Sequence, residues 1–201
     1  QVVLANGQKK RVVFFTTGRL LGNSDLTLTG TQSAYGIWDA DTGSPTTLVT
    51  ATASAGGNGR IGSVLTSVFD NNANLGWQMD FPEAGERGNT DPTLAFGTLI
   101  FTTNKPTTPD PCNPSGFTSW IYNLDYLSGG VVQLPGDTNT HLATQYTGAA
   151  TRPIVAVTPS GAVYTYTRLT GSSGSSTQKD PTRIKPSSQG ARRVTWRELL
   201  N

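Results

Sequence analysis

The chain has 201 residues, with 15 Lys and Arg against 13 Asp and Glu, one His, one Cys, 23 Gly and 12 Pro, and 35% of its residues are hydrophobic. No apolar run approaches the ~18 residues of a membrane-spanning helix, a single cysteine rules out an internal disulfide, and a single histidine rules out a His-rich metal site. The formal net charge of +2 hides a division: residues 1–150 carry 7 basic and 11 acidic residues, whereas residues 151–201 carry 8 and 2.

The start, Gln1 to Gly7, has no basic region followed by a hydrophobic signal core; a signal ahead of Gln1 stays open. Residues 11–17 (Arg11-Val12-Val13-Phe14-Phe15-Thr16-Thr17) are rich in β-branched and aromatic residues and predict a strand. Ile37-Trp38-Asp39 ends a second apolar run, and Asp39-Ala40-Asp41-Thr42-Gly43 then reads as a turn. There the Asp carboxylate bonds backbone amides two residues on and Gly takes a positive φ. Asp39 and Asp41 are also weak candidates for a metal, since they resemble the first part of a calcium loop, but the third acid and the closing glutamate are missing.

Gly56-Gly57-Asn58-Gly59-Arg60 lacks the Lys and Ser/Thr of a nucleotide loop and predicts a hairpin turn. Residues 98–103 and 119–124 predict strands, the second ending at Asp125. Between them Pro109-Asp110-Pro111-Cys112-Asn113-Pro114 predicts a rigid, exposed turn, with Cys112 either free or paired outside this segment. His141 reads as the end of a polar loop entering a strand, and residues 152–157 predict another strand. Gly171 to Ser176 predicts a flexible loop or linker. The closing Trp196 to Asn201 is the only helical candidate, too short to be stable alone.

Three apolar-then-Asp steps, at Asp39, Asp80 and Asp125, are spaced 41 and 45 residues apart. Phe15 and Phe101, Asp39 and Asp125, and Gly43 and Gly129 all share a spacing of 86 residues. A repeat of roughly 40–50 residues made of short strands predicts four-stranded blades around an axis. The fold expected is therefore all-β: a β-propeller of which this chain holds about four to five blades' worth. Residues 1–170 are expected to form the blades, 171–191 a Gly/Ser-rich loop and 192–201 a closing segment. At that size the chain is expected to be the carboxy-terminal portion of a larger propeller, with its strand edges covered by further blades, by the tail or by a partner.

The ordered motifs Gly76-Trp77-Gln78-Met79-Asp80-Phe81-Pro82-Glu83-Ala84-Gly85-Glu86-Arg87, Leu99-Ile100-Phe101-Thr102-Thr103-Asn104-Lys105-Pro106, Asp110-Pro111-Cys112 and Ser119-Trp120-Ile121 resemble the carboxy-terminal propeller of the PilC/PilY family, adhesins and assembly factors at the tips of type IV pili. Gly18 to Asp25 with Gln32 to Asp39, and Gly190 to Leu199, extend the resemblance over almost the whole chain. It implies a bacterial protein exported through the periplasm to the cell surface and pilus tip. There it would contact minor pilins and a host or surface ligand, promote pilus assembly against retraction, and contribute to adhesion, twitching motility and virulence. It implies neither a catalytic site nor a nucleic-acid partner.

The resemblance also brings in an Asp-rich calcium loop, but no complete loop of that kind stands in these residues, so any Ca2+ falls to residues outside this segment. Trp77, Glu86, Arg87, Trp120 and Asp125 match the family pattern and are expected to be structural, with Glu86 and Arg87 pairing with each other or capping a blade. Two alternatives stay open. A periplasmic quinoprotein dehydrogenase also ends propeller strands in Asp-x-x-Thr-Gly, but needs clustered acids and a repeated tryptophan docking motif. A carbohydrate-binding propeller would use exposed aromatics, for which Trp77, Tyr126 and Tyr146 are the candidates, although blade packing is their commoner role.

Overall fold

The computed structural model describes residues 2–4, 7–39, 46–70, 72–107, 116–134, 136–171 and 174–184. These residues are all-β, apart from a single 3-10 turn at Asn23–Thr27. The strands in chain order are β1 Val2–Val3, β2 Lys9–Lys10, β3 Val12–Thr16, β4 Ser33–Trp38, β5 Leu48–Ala51, β6 Ala53–Gly56, β7 Gly59–Gly62 and β8 Gly76–Asp80. They continue with β9 Thr93–Ala95, β10 Thr98–Pro106, β11 Phe117–Asp125, β12 His141–Thr147, β13 Ile154–Val157, β14 Val163–Gly171 and β15 Gly174–Pro181. The expected strands at 11–17, 98–103, 119–124 and 152–157 are therefore present as β3, β10, β11 and β13.

Three sheets carry most of the chain. The largest has the order β6-β7-β12-β11-β10-β9 and is antiparallel throughout; within it β9 to β12 run up and down in sequence order. A second has the order β3-β4-β8-β5, in which β5 pairs parallel to β8. The third is the meander β13-β14-β15, and β1 and β2 form a small ribbon. None of these sheets closes on itself.

β10 explains the centre of the largest sheet. Its first seven residues, Thr98 to Asn104, are all buried, so both faces are covered. The sequence accordingly reads as a continuous apolar and threonine run rather than an alternation. β3 at the edge of its own sheet alternates half-buried and exposed residues, with Val13 54% and Phe15 38% exposed. The core gathers Trp77 and Met79 from β8, Phe101 from β10, Trp120, Tyr122 and Leu124 from β11, and Leu142 from β12.

Glycine makes room for the Trp77 indole twice, at Gly36 on the neighbouring strand of its own sheet and at Gly129 in the turn that follows β11. A Cβ on Gly36 of β4 would stand 2.5 Å from the indole Nε1, and one on Gly129 would stand 2.5 Å from Cε3. Both faces of the approach therefore need a residue without a side chain, and at Gly129 the φ of +72° demands glycine as well. This is the glycine of the expected Asp-x-x-x-Gly turn. At its start Asp125 Oδ1 accepts from the Leu127 amide at 3.0 Å and the Asp125 carbonyl accepts from the Gly129 amide at 2.8 Å. The turn chemistry read from the sequence thus holds at Asp125. The equivalent turn after Asp39, including Asp41 and Gly43, lies outside the described residues, as do Cys112 and the closing segment 192–201.

One expectation needs correcting. Residues 174–181, placed by composition in a Gly/Ser-rich loop, form β15, paired with β14 over Tyr164↔Pro181 to Gly171↔Gly174. Ser, Thr and Gln suit an exposed hairpin strand as well as a linker, so composition alone does not separate the two. Gly56 to Arg60, by contrast, is a hairpin joining β6 to β7 as expected.

Candidate functional site

The densest group of ionisable side chains sits beneath the loop that follows β8. β7 supplies Arg60, the loop supplies Glu83 and Glu86, β10 supplies Thr103 and Lys105, and β11 supplies Trp120 and Tyr122. Arg60 reaches this position because glycines flank it. A Cβ on Gly59 would stand 1.8 Å from the Ala143 carbonyl oxygen, and one on Gly62 would stand 2.3 Å from Leu142. The bare backbone therefore lets β7 press against β12 while Arg60 alone turns inward.

Glu86 is completely buried and every contact it makes is a complementary one. Its Oε1 accepts from the Tyr122 hydroxyl at 2.8 Å and from Thr103 Oγ1 at 2.7 Å, and its Oε2 accepts from Arg60 Nη2 at 2.7 Å. Arg60 is 1% exposed and also donates to Glu83 Oε1 at 3.0 Å. Glu83, half-exposed, takes a further bond from Lys105 Nζ at 2.7 Å. The guanidinium carbon of Arg60 lies 4.1 Å from the centre of the Trp120 ring, a cation–π contact in a desolvated site.

The electrostatics follow from burial and pairing. Burial, then the Glu86 carboxylate, raise the Tyr122 hydroxyl well above the ordinary tyrosine range, so it acts as a donor. Burial opposes the charge on Arg60, but Glu86 outweighs it and the guanidinium is held more firmly protonated than usual. Burial also opposes ionisation of Glu83, yet its hydrogen bonds to Lys105 and Arg60 bring its pKa below the ordinary value. A carboxylate with three donors already on it offers little to a substrate. The group works as a lock that fastens the β8–β9 loop to the centre of the six-stranded sheet.

The structure sorts the residues singled out in the sequence. Trp120 and Trp77 are buried, and the Trp77 Nε1 donates to the Tyr126 carbonyl at 3.0 Å. Trp77 is therefore part of the framework and does not offer a surface to a ligand. Tyr126 is half-buried and meets Phe14 edge-on at 6.3 Å. Tyr146, half-buried on β12, donates to Asp180 of β15. Trp77 and Tyr126 are thus neighbours in one packing unit, and Tyr146 belongs to the junction with the third sheet. Asp39 is exposed and faces Arg11, with Nε to Oδ2 at 3.3 Å. His141 opens β12, exposed, with Nε2 3.1 Å from Thr144 Oγ1.

Glu86 and Arg87 do not pair with each other. Glu86 turns inward to Arg60, while Arg87 sends Nη2 to the Leu28 carbonyl and exchanges backbone hydrogen bonds with Asn104 at 2.9 and 2.8 Å. Adjacent residues in an extended segment point to opposite sides, so one cannot satisfy the other. Arg60 is the member that the sequence does not reveal, since there it stands only as the end of a hairpin turn. Its signal is a single charge enclosed by glycines in a short strand, which by itself names no partner.

No family model, no curated protein and no solved structure matches this chain.

Proposed function

We propose that this chain is a non-catalytic surface module at the tip of a type IV pilus, of the PilC/PilY kind, acting in pilus assembly and adhesion through minor pilins and a surface ligand. The observation that carries the reading is where the resembling residues go. Trp77, Glu86, Trp120 and Asp125, drawn from a segment of some fifty residues, all fall within one buried framework. The motifs thus serve architecture, and what is left for function is the outer surface.

The propeller belongs to the same proposal. The meander β9 to β12 has the up-and-down connectivity of one blade, within a sheet that β7 and β6 extend beyond β12 to six strands. The β3–β4 pair, 86 residues earlier at Phe15 and Phe101, would be the corresponding part of another. The apolar outer side of β3, with Val13 and Phe15 exposed, would then pack on a neighbouring blade. The test is an immunoblot of pili sheared from the native cells, probed with antibody to this chain. A band in the pilus fraction larger than the chain itself supports the reading. A periplasmic band absent from pili overturns it.

A further inference from the structure

We infer that the cleft beside Trp38 is a binding site for an acidic sugar, a pyranose ring carrying a carboxylate. The cleft, about 560 Å³, lies where the β1–β2 ribbon meets the end of β4, and its walls are Lys9, Lys10, Arg11, Trp38, Asp39 and Asn72. Its volume falls in the ~300–1,000 Å³ range of small-ligand sites. Gln8 completes the wall.

Lys10 sets the geometry from behind. It is 6% exposed, donates Nζ to the Phe69 carbonyl at 2.5 Å and to Asn72 Oδ1 at 2.6 Å, and lies 3.8 Å from the centre of the Trp38 ring. The buried ammonium thus holds both the indole and the amide in place. Asn72 sits at φ +53°, in the left-handed region that a side chain seldom adopts. The Lys10 bond to Oδ1 fixes which end of that amide is the acceptor and leaves Nδ2 to donate.

The remaining groups define the ligand. Lys10 covers one face of Trp38; the indole surface that lines the cleft suits the C–H side of a pyranose, and a donor amide and an acceptor carboxylate suit its hydroxyls. Arg11, its side chain 66% exposed, engages Asp39 through Nε. Its terminal nitrogens are then placed, with Lys9, to meet a carboxylate by charge-assisted hydrogen bonds. Lys10 is spent on Phe69, Asn72 and Trp38, so the cations left to a ligand are Lys9 and the terminal nitrogens of Arg11; two cations beside the one wall carboxylate of Asp39 favour an acidic sugar over a neutral one. Phosphate sites are usually built from converging backbone amides, whereas this cleft presents side chains and an aromatic plane.

The inference deepens the adhesive reading by naming a ligand class, and the two fail separately. A chain absent from pili that still binds the sugar overturns only the first, and a pilus-borne chain that binds no acidic sugar overturns only the second. The experiment is a titration of the full chain by calorimetry with 3′-sialyllactose and with digalacturonate, and with lactose as the neutral control. Binding of either acidic probe at least about tenfold tighter than lactose is expected, and which one binds identifies the source of the carboxylate. Arg11→Ala should weaken that binding by about fivefold or more, with circular dichroism unchanged, and should reduce its dependence on salt. Asn72→Gly, which keeps the positive φ and removes the amide, should weaken it too. Lactose binding as tightly, no binding of either acid at about 10 mM, or an Arg11→Ala variant that binds as well as the parent would overturn the proposal.

Discussion

The β3–β4 and β10–β11 hairpins carry the same cross-strand device in opposite surroundings. Phe15 stacks on Tyr35 with ring centres 5.0 Å apart and planes at 16°, and Phe101 stacks on Tyr122 at 4.9 Å and 9°. Both are directly opposed pairs in the ladder. Phe15 is 38% exposed, whereas Phe101 and Tyr122 are wholly buried. The outer tyrosine can use water for its hydroxyl; the inner one cannot, and a buried hydroxyl without a partner is costly. Burying the pair therefore calls for Glu86, burying Glu86 calls for Arg60, and Arg60 in turn needs Glu83 and the face of Trp120. The ionic group at the centre of the molecule is the consequence of placing a tyrosine there.

Breaking that chain of requirements at its middle should have the largest effect. Glu86→Ala strands Arg60 and the Tyr122 hydroxyl in the interior, and should cost about 3–5 kcal/mol, as for other broken buried ion pairs. Replacing Arg60 as well, by Met, should return part of that loss, since the uncompensated charge is gone. Urea melts of the two single variants and the double give the coupling directly. If the double variant is as unstable as the sum of the singles, the two residues are not a pair in solution.

Aromatic truncations set the two hairpins side by side. Trp120→Ala and Phe101→Ala should each cost about 3–5 kcal/mol, the range for a buried large aromatic. Phe15→Ala at the outer hairpin should cost roughly 1 kcal/mol, typical of a half-exposed site. Equal losses at Phe15 and Phe101 in the same melts would remove the contrast between the half-exposed ring and the buried one.

A smaller step isolates the hydroxyls. Tyr122→Phe leaves the ring stack and takes one donor from Glu86, for an expected loss of about 1–3 kcal/mol. Tyr35→Phe should stay within about 0.5 kcal/mol, as surface changes usually do. A Tyr35→Phe loss matching that of Tyr122→Phe would remove the distinction drawn between wet and dry hydroxyls.

How much of this was legible follows from range along the chain. The 86-residue spacing located both hairpins, because strand composition and the Asp-to-Gly turn are local signals; at Asp125 that turn has the geometry the sequence implies. It did not give the register. The phenylalanines are 86 residues apart but their tyrosine partners are 87 apart, a one-residue difference that no local pattern encodes. The Glu86–Arg60 pair, 26 residues apart in sequence and on different elements, was invisible for the same reason. So was the parallel pairing of β5 with β8, which joins segments separated by a hairpin and a long loop. Residues 174–181 form a strand that composition does not reveal, because Ser, Thr and Gly describe loop and exposed strand alike.

Acid should loosen the outer hairpin through one group. Asp25 caps the 3-10 turn in the β3–β4 connection, where its Oδ2 accepts from the Leu21 and Gly22 amides at 2.9 and 3.1 Å and its Oδ1 from Arg19 Nε at 2.9 Å. The Leu21 amide first, then Arg19, lower its pKa to about 2, against the opposing effect of burial. A carboxylate whose pKa is depressed on folding stabilises the folded form above its ordinary value near 3.8, and that contribution fades as pH falls from about 4 to about 2. Thermal melts of the parent from pH 7 down to pH 2 should therefore fall through that window, and Asp25→Asn should flatten part of the fall. Hydrogen exchange locates the effect: below pH 4 the Leu21 and Gly22 amides should lose protection before those of β10 and β11, whose residues are mostly buried. Simultaneous loss at both hairpins would mean that the outer and inner pairs open as one cooperative unit, and that the contrast in burial does not divide the molecule's stability.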